Sequence, residues 1–204
     1  MRVRQLARVA AYGASAAAGG TRHTVRRRRD PGSWTRRDPH RIVRVAPLEV
    51  AATTAERLDE SLRGCTVGGD WDLRAVPLRS LTLWRGLEQR IVEGRDWPET
   101  VLSRGPVDEG VPNAGTRLLT GDAEERERRL RRIDALIASL RRDGWLPHHD
   151  VGARFHHEMT VVVGRSGALV RNSGGLHRLI IAQLIGLERI PCRILAEHPD
   201  APNP

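Results

Sequence analysis

Apolar and polar positions follow their most regular order in the C-terminal third of the chain. Residues 159–172, MTVVVGRSGALVRN, place two apolar runs around a Ser-Gly pair, and this pattern predicts a β-hairpin. Residues 173–186, SGGLHRLIIAQLIG, predict a glycine turn that leads into a helix. Residues 190–195, IPCRIL, predict a last strand.

Apolar spacing also predicts a long helix in the middle of the chain. Leucines and isoleucines recur three and four residues apart over 123–142, which is the spacing of one helix face. Asp122 stands at the N-cap position and Glu125 follows three residues later, as in a capping box. We expect the arginines and glutamates of this helix to form a solvent-exposed face of pairs one turn apart.

Weaker patterns predict the remaining elements. RIVRVA alternates and predicts a strand over 42–46. A proline in the first turn and a glycine after the last one predict a helix over 77–92. Residues 50–64 indicate a helix or turn that ends at Gly64, and residues 95–121, rich in Gly and Pro, predict a loop.

Composition excludes several functional classes. All 34 residues counted as Lys or Arg are arginine, so the chain lacks the lysine that a P-loop or a Schiff-base enzyme requires. One Tyr and one Phe are too few for the aromatic sheet of an RNA-recognition module. No apolar run approaches the roughly 18 residues of a membrane span, so we expect no transmembrane segment. Two cysteines far apart in sequence predict no disulfide framework and a reducing, cytoplasmic location.

The formal net charge of +9 is concentrated near the N-terminus. Residues 1–45 contain 12 arginines and two acids, whereas the remainder is nearly neutral. We therefore divide the chain into a basic, partly disordered arm over 1–40 and one domain over 41–198. The arm is predicted to hold a short amphipathic helix, which we favour over a secretory signal, followed by a flexible linker.

Four consecutive arginines in this arm are candidates for contacts with phosphates of a nucleic acid or with an anionic membrane face. They are Arg26, Arg27, Arg28 and Arg29. A solvated tail is the simpler alternative.

The glycine turn before the last helix has the features of an anion site. Gly174 and Gly175 would let an anion approach the backbone, and the N–H groups of a helix N-terminus point outward there. Arg178 offers a two-pronged contact to phosphate and His177 adds a donor. These four residues therefore predict a phosphate cradle built without lysine. The alternative is an ordinary strand-turn-helix connection.

The order G-G-x-H-R, helix, G-x-x-x-I-P, strand resembles the ParB/sulfiredoxin-like superfamily. The resemblance is strongest over 158–196, and the strand at 42–46 is similar to the superfamily's opening strand. Gly-Gly-Asp-Trp-Asp at 68–72 and Trp-Pro-Glu-Thr at 97–100 add a likeness to uncharacterised ParB-like proteins. The resemblance implies an α+β domain with a small mixed sheet and packed helices. It also implies that the Gly-Gly-Leu-His-Arg turn holds nucleotide phosphates.

Two positions depart from the superfamily's catalytic patterns. Leu176 stands where sulfiredoxins carry their catalytic cysteine, which removes sulfur chemistry by that route. Gly174 stands where many relatives, including those resembling free serine kinases, carry an aspartate. Cys192, in the last predicted strand, is interpreted as a small buried apolar residue.

Three acids are the candidates for catalysis. Asp70 and Asp72 flank Trp71, and an extended segment would place both carboxylates on one side, where they could hold Mg²⁺ or act as a base. The alternative is an Asx-turn loop with an anchoring tryptophan. Glu158 stands at the start of the hairpin and could serve as general base, the alternative being an exposed carboxylate at a strand start.

A histidine-rich stretch is the densest group of potential metal ligands. It comprises His148, His149, Asp150, His156 and His157. Its spacing matches no familiar zinc pattern, so we interpret it as an exposed loop and predict no metal site.

Three functions stay open at this point. The first is binding of a nucleotide or phosphorylated small molecule, with ATP, ADP or CTP and Mg²⁺ as the expected cofactors, in a phosphotransferase or a nucleotide hydrolase. The second is binding of nucleic acid through the arginine-rich arm. The third is a non-catalytic relative that binds a partner protein.

Overall fold

A computed structural model describes residues 2–103, 123–147 and 158–203 of the chain, with side chains from residue 14 onward. These ranges contain a six-stranded mixed sheet and four α-helices. The helices are α1 (Arg2–Arg29), α2 (Thr82–Ile91), α3 (Ala123–Asp143) and α4 (Leu176–Leu184). The strands are β1 (Ile42–Val45), β2 (Ala52–Thr53), β3 (Val76–Pro77), β4 (Thr160–Val163), β5 (Leu169–Ser173) and β6 (Ile190–Glu197).

The strands lie in the order β1-β6-β4-β5-β2-β3. β4 pairs antiparallel with β5 and parallel with β6, so the hairpin and the last strand form the centre of the sheet. β1 adds antiparallel to β6 at one edge. β2 adds parallel to β5 and carries β3 antiparallel at the other edge.

The sheet has a buried core on each face. Alternate residues of β4 and β6, such as Val161 and Ile194, face the larger core with α2, α3 and α4. Their neighbours Val162 and Leu195 pack in a smaller cluster around Trp71 on the opposite face. This alternation is the two-residue period of strands buried on both sides.

The class of fold and the strongly patterned elements are as predicted. The α+β class is confirmed by the mixed sheet and the helices. The hairpin, the glycine turn into α4 and the last strand are confirmed, and so is the helix predicted over 123–142. The strand predicted over 42–46 is one residue shorter. The parent superfamily stays a prediction.

The weaker patterns were misinterpreted in part. Residues 50–64 were expected to form a helix or turn, but they hold the short strand β2 and a 3₁₀ turn at Glu60–Leu62. β2 forms because Thr53 is fully buried beside β5, a position that suits a β-branched side chain. The helix expected from residue 77 begins at Thr82, because Pro77 is paired with Ala52 in the sheet.

The loop predicted over 95–121 is described as far as residue 103. Two 3₁₀ turns, Trp97–Glu99 and Val101–Ser103, occupy its start. Residues 104–121 and the proposed N-cap Asp122 lie outside the described residues.

The segment after α1 is attached to the sheet. Trp34 forms an isolated antiparallel bridge with Cys65. The buried carboxylate of Glu197 at the end of β6 accepts hydrogen bonds from the backbone N–H groups of Arg36 (3.0 Å) and Arg37 (3.2 Å). The Arg37 guanidinium completes an ion pair with the same carboxylate at 3.0 Å. These contacts join residues 34–37 to the body, and the division into a basic, partly disordered arm and one domain stays a prediction.

None of the helices in the described part of the chain has the length and apolar character needed to cross a bilayer.

Candidate functional site

The N-terminus of α4 follows directly from β5 through two glycines in left-handed backbone conformations. Gly174 has a φ of 69° and Gly175 a φ of 60°. Side-chain-bearing residues rarely adopt this region, so the tight turn depends on the glycines. Gly175 occupies the N-cap position and supplies no side-chain cap to the N–H groups of the first helical turn.

Gly175 also lies in close contact with its surroundings. A Cβ atom at this position would lie 2.9 Å from the ring of Trp145 and 3.1 Å from Cβ of Met159. Trp145, which follows α3, is itself 4% exposed. The turn is thus held between the end of α3 and the start of the hairpin.

A buried arginine lies beneath the turn. The side chain of Arg171 on β5 donates from Nε to the Gly174 carbonyl at 2.7 Å and from Nη1 to Oγ1 of Thr53 at 2.9 Å. The carbonyl and the following N–H of a trans peptide point in opposite directions. Arg171 therefore orients the N–H of Gly175 away from itself.

Arg171 was missed in the sequence, although one signal could have found it. It is an arginine inside an apolar hairpin strand, three residues before the glycine turn. A charged residue in such a strand is unusual unless it has a specific role. Burial, together with the charge of Arg57, lowers the pKa of Arg171 to about 10, so the guanidinium keeps its charge at neutral pH.

His177 and Arg178 occupy the first turn of α4. Burial, with the nearby charge of Arg171, lowers the pKa of His177 to about 4, so its imidazole is neutral at pH 7. Its Nε2 atom is buried and has no hydrogen-bond partner among the described residues. The guanidinium of Arg178 lies over the Trp145 ring, 5.9 Å from the ring centroid. The first turn therefore combines one neutral and one charged donor.

Glu158 is brought close to this turn. It precedes Met159, whose Cβ faces Gly175, and it is 2% exposed rather than an exposed carboxylate at a strand start.

Burial, with the charges of Glu158 and Glu49, raises the pKa of the Cys192 thiol to about 12. Cys192 is fully buried, as predicted.

Asp70 and Asp72 lie at the other end of the hairpin. Both carboxylates accept hydrogen bonds from Arg165 in the β4–β5 turn, Asp70 at 2.8 Å and Asp72 at 2.9 Å. β5 separates this turn from Gly174 by its five residues, a length of roughly 16 Å. The structure therefore does not bring these two acids together with the glycine turn.

The four consecutive arginines lie in the last turn of α1 and are exposed. The Arg26 guanidinium lies over Trp34, 5.0 Å from the ring centroid, and Arg27 donates to the Arg36 carbonyl at 3.0 Å. They belong to a different part of the chain from the glycine turn.

The histidine-rich stretch lies outside the described residues, so its interpretation as an exposed loop stays a prediction. Within the described ranges, no three His, Cys, Asp or Glu side chains gather closely enough to hold a metal ion.

Comparison of the chain with protein-family models, with curated proteins and with solved structures found no match. The geometry at the start of α4 is therefore the basis for assigning a function.

Proposed function

We propose that the N-terminus of α4 binds a phosphate group of a nucleotide or of a phosphorylated small molecule. The observation that carries this proposal is the pair of left-handed glycines, Gly174 and Gly175, oriented from below by the buried Arg171. Such a turn exposes backbone N–H groups where a helix adds about half a positive charge.

The side chains of the first turn have the chemistry that this ligand needs. Arg178 supplies a permanent charge with two parallel donors, which suits phosphate oxygens. His177, neutral at pH 7, supplies a hydrogen bond without a further charge. Arg171 adds a second positive charge from the sheet side. Together they favour a ligand with more than one negative charge.

The resemblance to the ParB/sulfiredoxin-like superfamily supports a nucleotide as the source of the phosphate. ATP, ADP and CTP, each with Mg²⁺, are the ligands to test first. Phosphoryl transfer or nucleotide hydrolysis is the reaction class that positioning and charge alone can serve. Glu158 is our candidate for the base, because it is buried and precedes Met159 beside the turn, whereas Asp70 and Asp72 are engaged with Arg165.

Calorimetric titration of the full chain with ATP, ADP, CTP and GTP, each with and without Mg²⁺, tests the proposal. Pyrophosphate in a parallel titration separates recognition of phosphate from recognition of the nucleoside. We expect at least one of these ligands to bind, and Arg178→Ala to weaken it by about tenfold or more, as loss of a charged hydrogen bond implies.

Arg189→Ala is the matched control, because Arg189 is exposed and follows the other end of α4. It should leave the affinity unchanged. Equal affinities of the wild type and Arg178→Ala, or no binding of any phosphate ligand, would overturn the proposal.

A further inference from the structure

α1 has an unusual charge for a helix of its length. Its 28 residues include eight arginines and no acid, whereas α3 mixes its arginines with glutamates and aspartates. Four arginines of α3 form ion pairs with acids of the same helix: Arg128, Arg129, Arg131 and Arg142. The positive charge of α3 is thus largely neutralised where it arises, and that of α1 is not.

The arginines in the second half of α1 pair with no carboxylate of the described residues. All five are exposed, and none forms an ion pair with any acid in the part of the chain that the structure describes. We call these residues the α1 arginine cluster: Arg22, Arg26, Arg27, Arg28 and Arg29. Five unneutralised charges within about two turns create a strong positive potential.

α1 is packed against the body on one side, so the cluster has a defined position. His23 is buried and its Nε2 lies 3.0 Å from the carbonyl oxygen of Thr35. One turn earlier, a Cβ on Gly19 would lie 2.6 Å from the His40 ring, and a Cβ on Gly20 would lie 2.5 Å from the Asp38 carboxylate. The helix approaches this closely because both residues are glycines.

Part of the cluster forms a stripe along α1, next to the side that packs against the body. Arg22, Arg26 and Arg29 are spaced four and three residues apart and therefore lie along one side of the helix. The stripe is roughly 10 Å long, from the rise of 1.5 Å per residue. A nucleic-acid duplex carries one phosphate per 3.4 Å along each strand, so the stripe spans about three phosphates.

We propose that the α1 arginine cluster is a docking surface for the phosphate backbone of a nucleic-acid duplex. An anionic membrane face carries the same sign of charge, but binding to it also requires apolar side chains that insert. The side chains described on α1 include one exposed large apolar residue, Val25. Within residues 14–29, the described part of α1, the charge is not accompanied by an apolar face, and this favours the duplex. This proposal is independent of the phosphate site at α4.

The test is the salt dependence of binding between the full chain and a fluorescent mixed-sequence DNA duplex longer than α1. Arg22→Gln/Arg29→Gln removes two charges whose side chains make no hydrogen bond or ion pair with the described residues, so the fold should be retained. We expect weaker binding and a slope of log K against log salt that is smaller by about 2, close to 0.9 for each lost phosphate contact.

Arg132→Gln/Arg141→Gln is the matched control. Both residues are exposed on α3 and form no ion pair with the described residues. The double substitution removes the same total charge as Arg22→Gln/Arg29→Gln. Circular dichroism and thermal unfolding verify that both variants fold. The control should keep the wild-type slope.

Equal slopes for the two double variants would overturn the proposal, because net charge rather than the cluster would then govern binding. Failure of the wild type to bind the duplex would also overturn it. A duplex of RNA should bind comparably if the backbone is what is recognised. Sedimentation with phosphatidylserine vesicles is the last experiment. Binding to vesicles without binding to either duplex would overturn the proposal and assign the cluster to a membrane instead.

Discussion

Arg165 binds Asp72 through both its backbone and its side chain. The backbone N–H donates to Oδ2 of Asp72 at 2.8 Å, and the guanidinium Nε lies 3.0 Å from the same oxygen. Burial alone would raise the pKa of Asp72, but the hydrogen bonds and the charge of Arg165 hold it below its usual value. The acid is thus a structural partner of the hairpin turn.

Asp72→Ala should therefore destabilise the fold without weakening a ligand at α4. Loss of several hydrogen bonds to a buried carboxylate should cost about 2 kcal/mol in the free energy of unfolding, measured with urea. Asp70→Ala is the control, because the Asp70 side chain is 70% exposed and its loss should cost at most about 0.5 kcal/mol. Nucleotide affinity should stay the same in both variants. If Asp72→Ala lost most of its nucleotide affinity while its stability was unchanged, Asp72 would belong to the ligand site.

Gly175→Ala should lower the free energy of unfolding much more than an alanine substitution at another left-handed glycine. Strain at positive φ costs about 1–2 kcal/mol, and here the new methyl would also meet Trp145 and Met159. Gly186 has a φ of 72° and open space around it, so Gly186→Ala should show the strain alone. Chemical denaturation should give a difference of about 1–3 kcal/mol between the variants. Equal costs would contradict the close packing of the turn.

Arg171→Lys should weaken ligand binding although the charge is kept. A lysine has one ammonium group, which cannot reproduce the two-pronged contact to Gly174 and Thr53. Thr53→Val is the comparison, because it removes the bond at Thr53 and leaves the one to the turn. Calorimetry with the best nucleotide should show a larger loss for Arg171→Lys than for Thr53→Val. The reverse order would show that the contact with the turn is unimportant.

The stability of the protein should fall as the pH drops from about 6.5 to about 4, in part because of His177. An unfolded histidine has a pKa near 6.5, whereas that of folded His177 is about 4. Between these values the unfolded chain binds a proton that the folded chain does not, so acid favours unfolding. The full effect is on the order of 3 kcal/mol.

Urea unfolding at pH 7 and pH 5 measures this contribution. His177→Gln should show a smaller loss of stability between the two pH values than the wild type, because the carboxylates contribute equally to both proteins. Identical losses would mean that His177 is protonated as readily in the folded chain as in the unfolded one.

The local pattern of apolar and polar residues predicted the elements whose buried face is formed by one continuous stretch of sequence. The periodicity of α3 and the alternation of the hairpin identify their own buried faces. β2 and β3 could not be predicted in this way, because each has two residues and exists through its pairing with a neighbour. The close approach of α1 to His40 also joins residues that only the folded chain brings together.

The same distinction applies to the candidate site. Gly174, Gly175, His177 and Arg178 are adjacent in sequence and could be proposed from their order. Arg171 and Trp145 could not, because their roles depend on where β5 and the end of α3 place them. For Asp70 and Asp72, the spacing suggested a catalytic pair, and the fold adds the contacts of both acids with Arg165, which the sequence could not show.

Glu197 should hold the segment after α1 against the sheet. Its buried carboxylate binds Arg36 and Arg37, so Glu197→Gln removes the charge of the ion pair and weakens these contacts. Trypsin should then cut after Arg36 or Arg37 several-fold faster, as judged by the masses of the fragments. Glu188→Gln is the control, because Glu188 is exposed just before β6. Thermal unfolding distinguishes local release from global instability, since local release leaves the main transition near its original temperature. An unchanged rate of cleavage at both sites would show that Trp34 and His23 suffice to hold the segment in place.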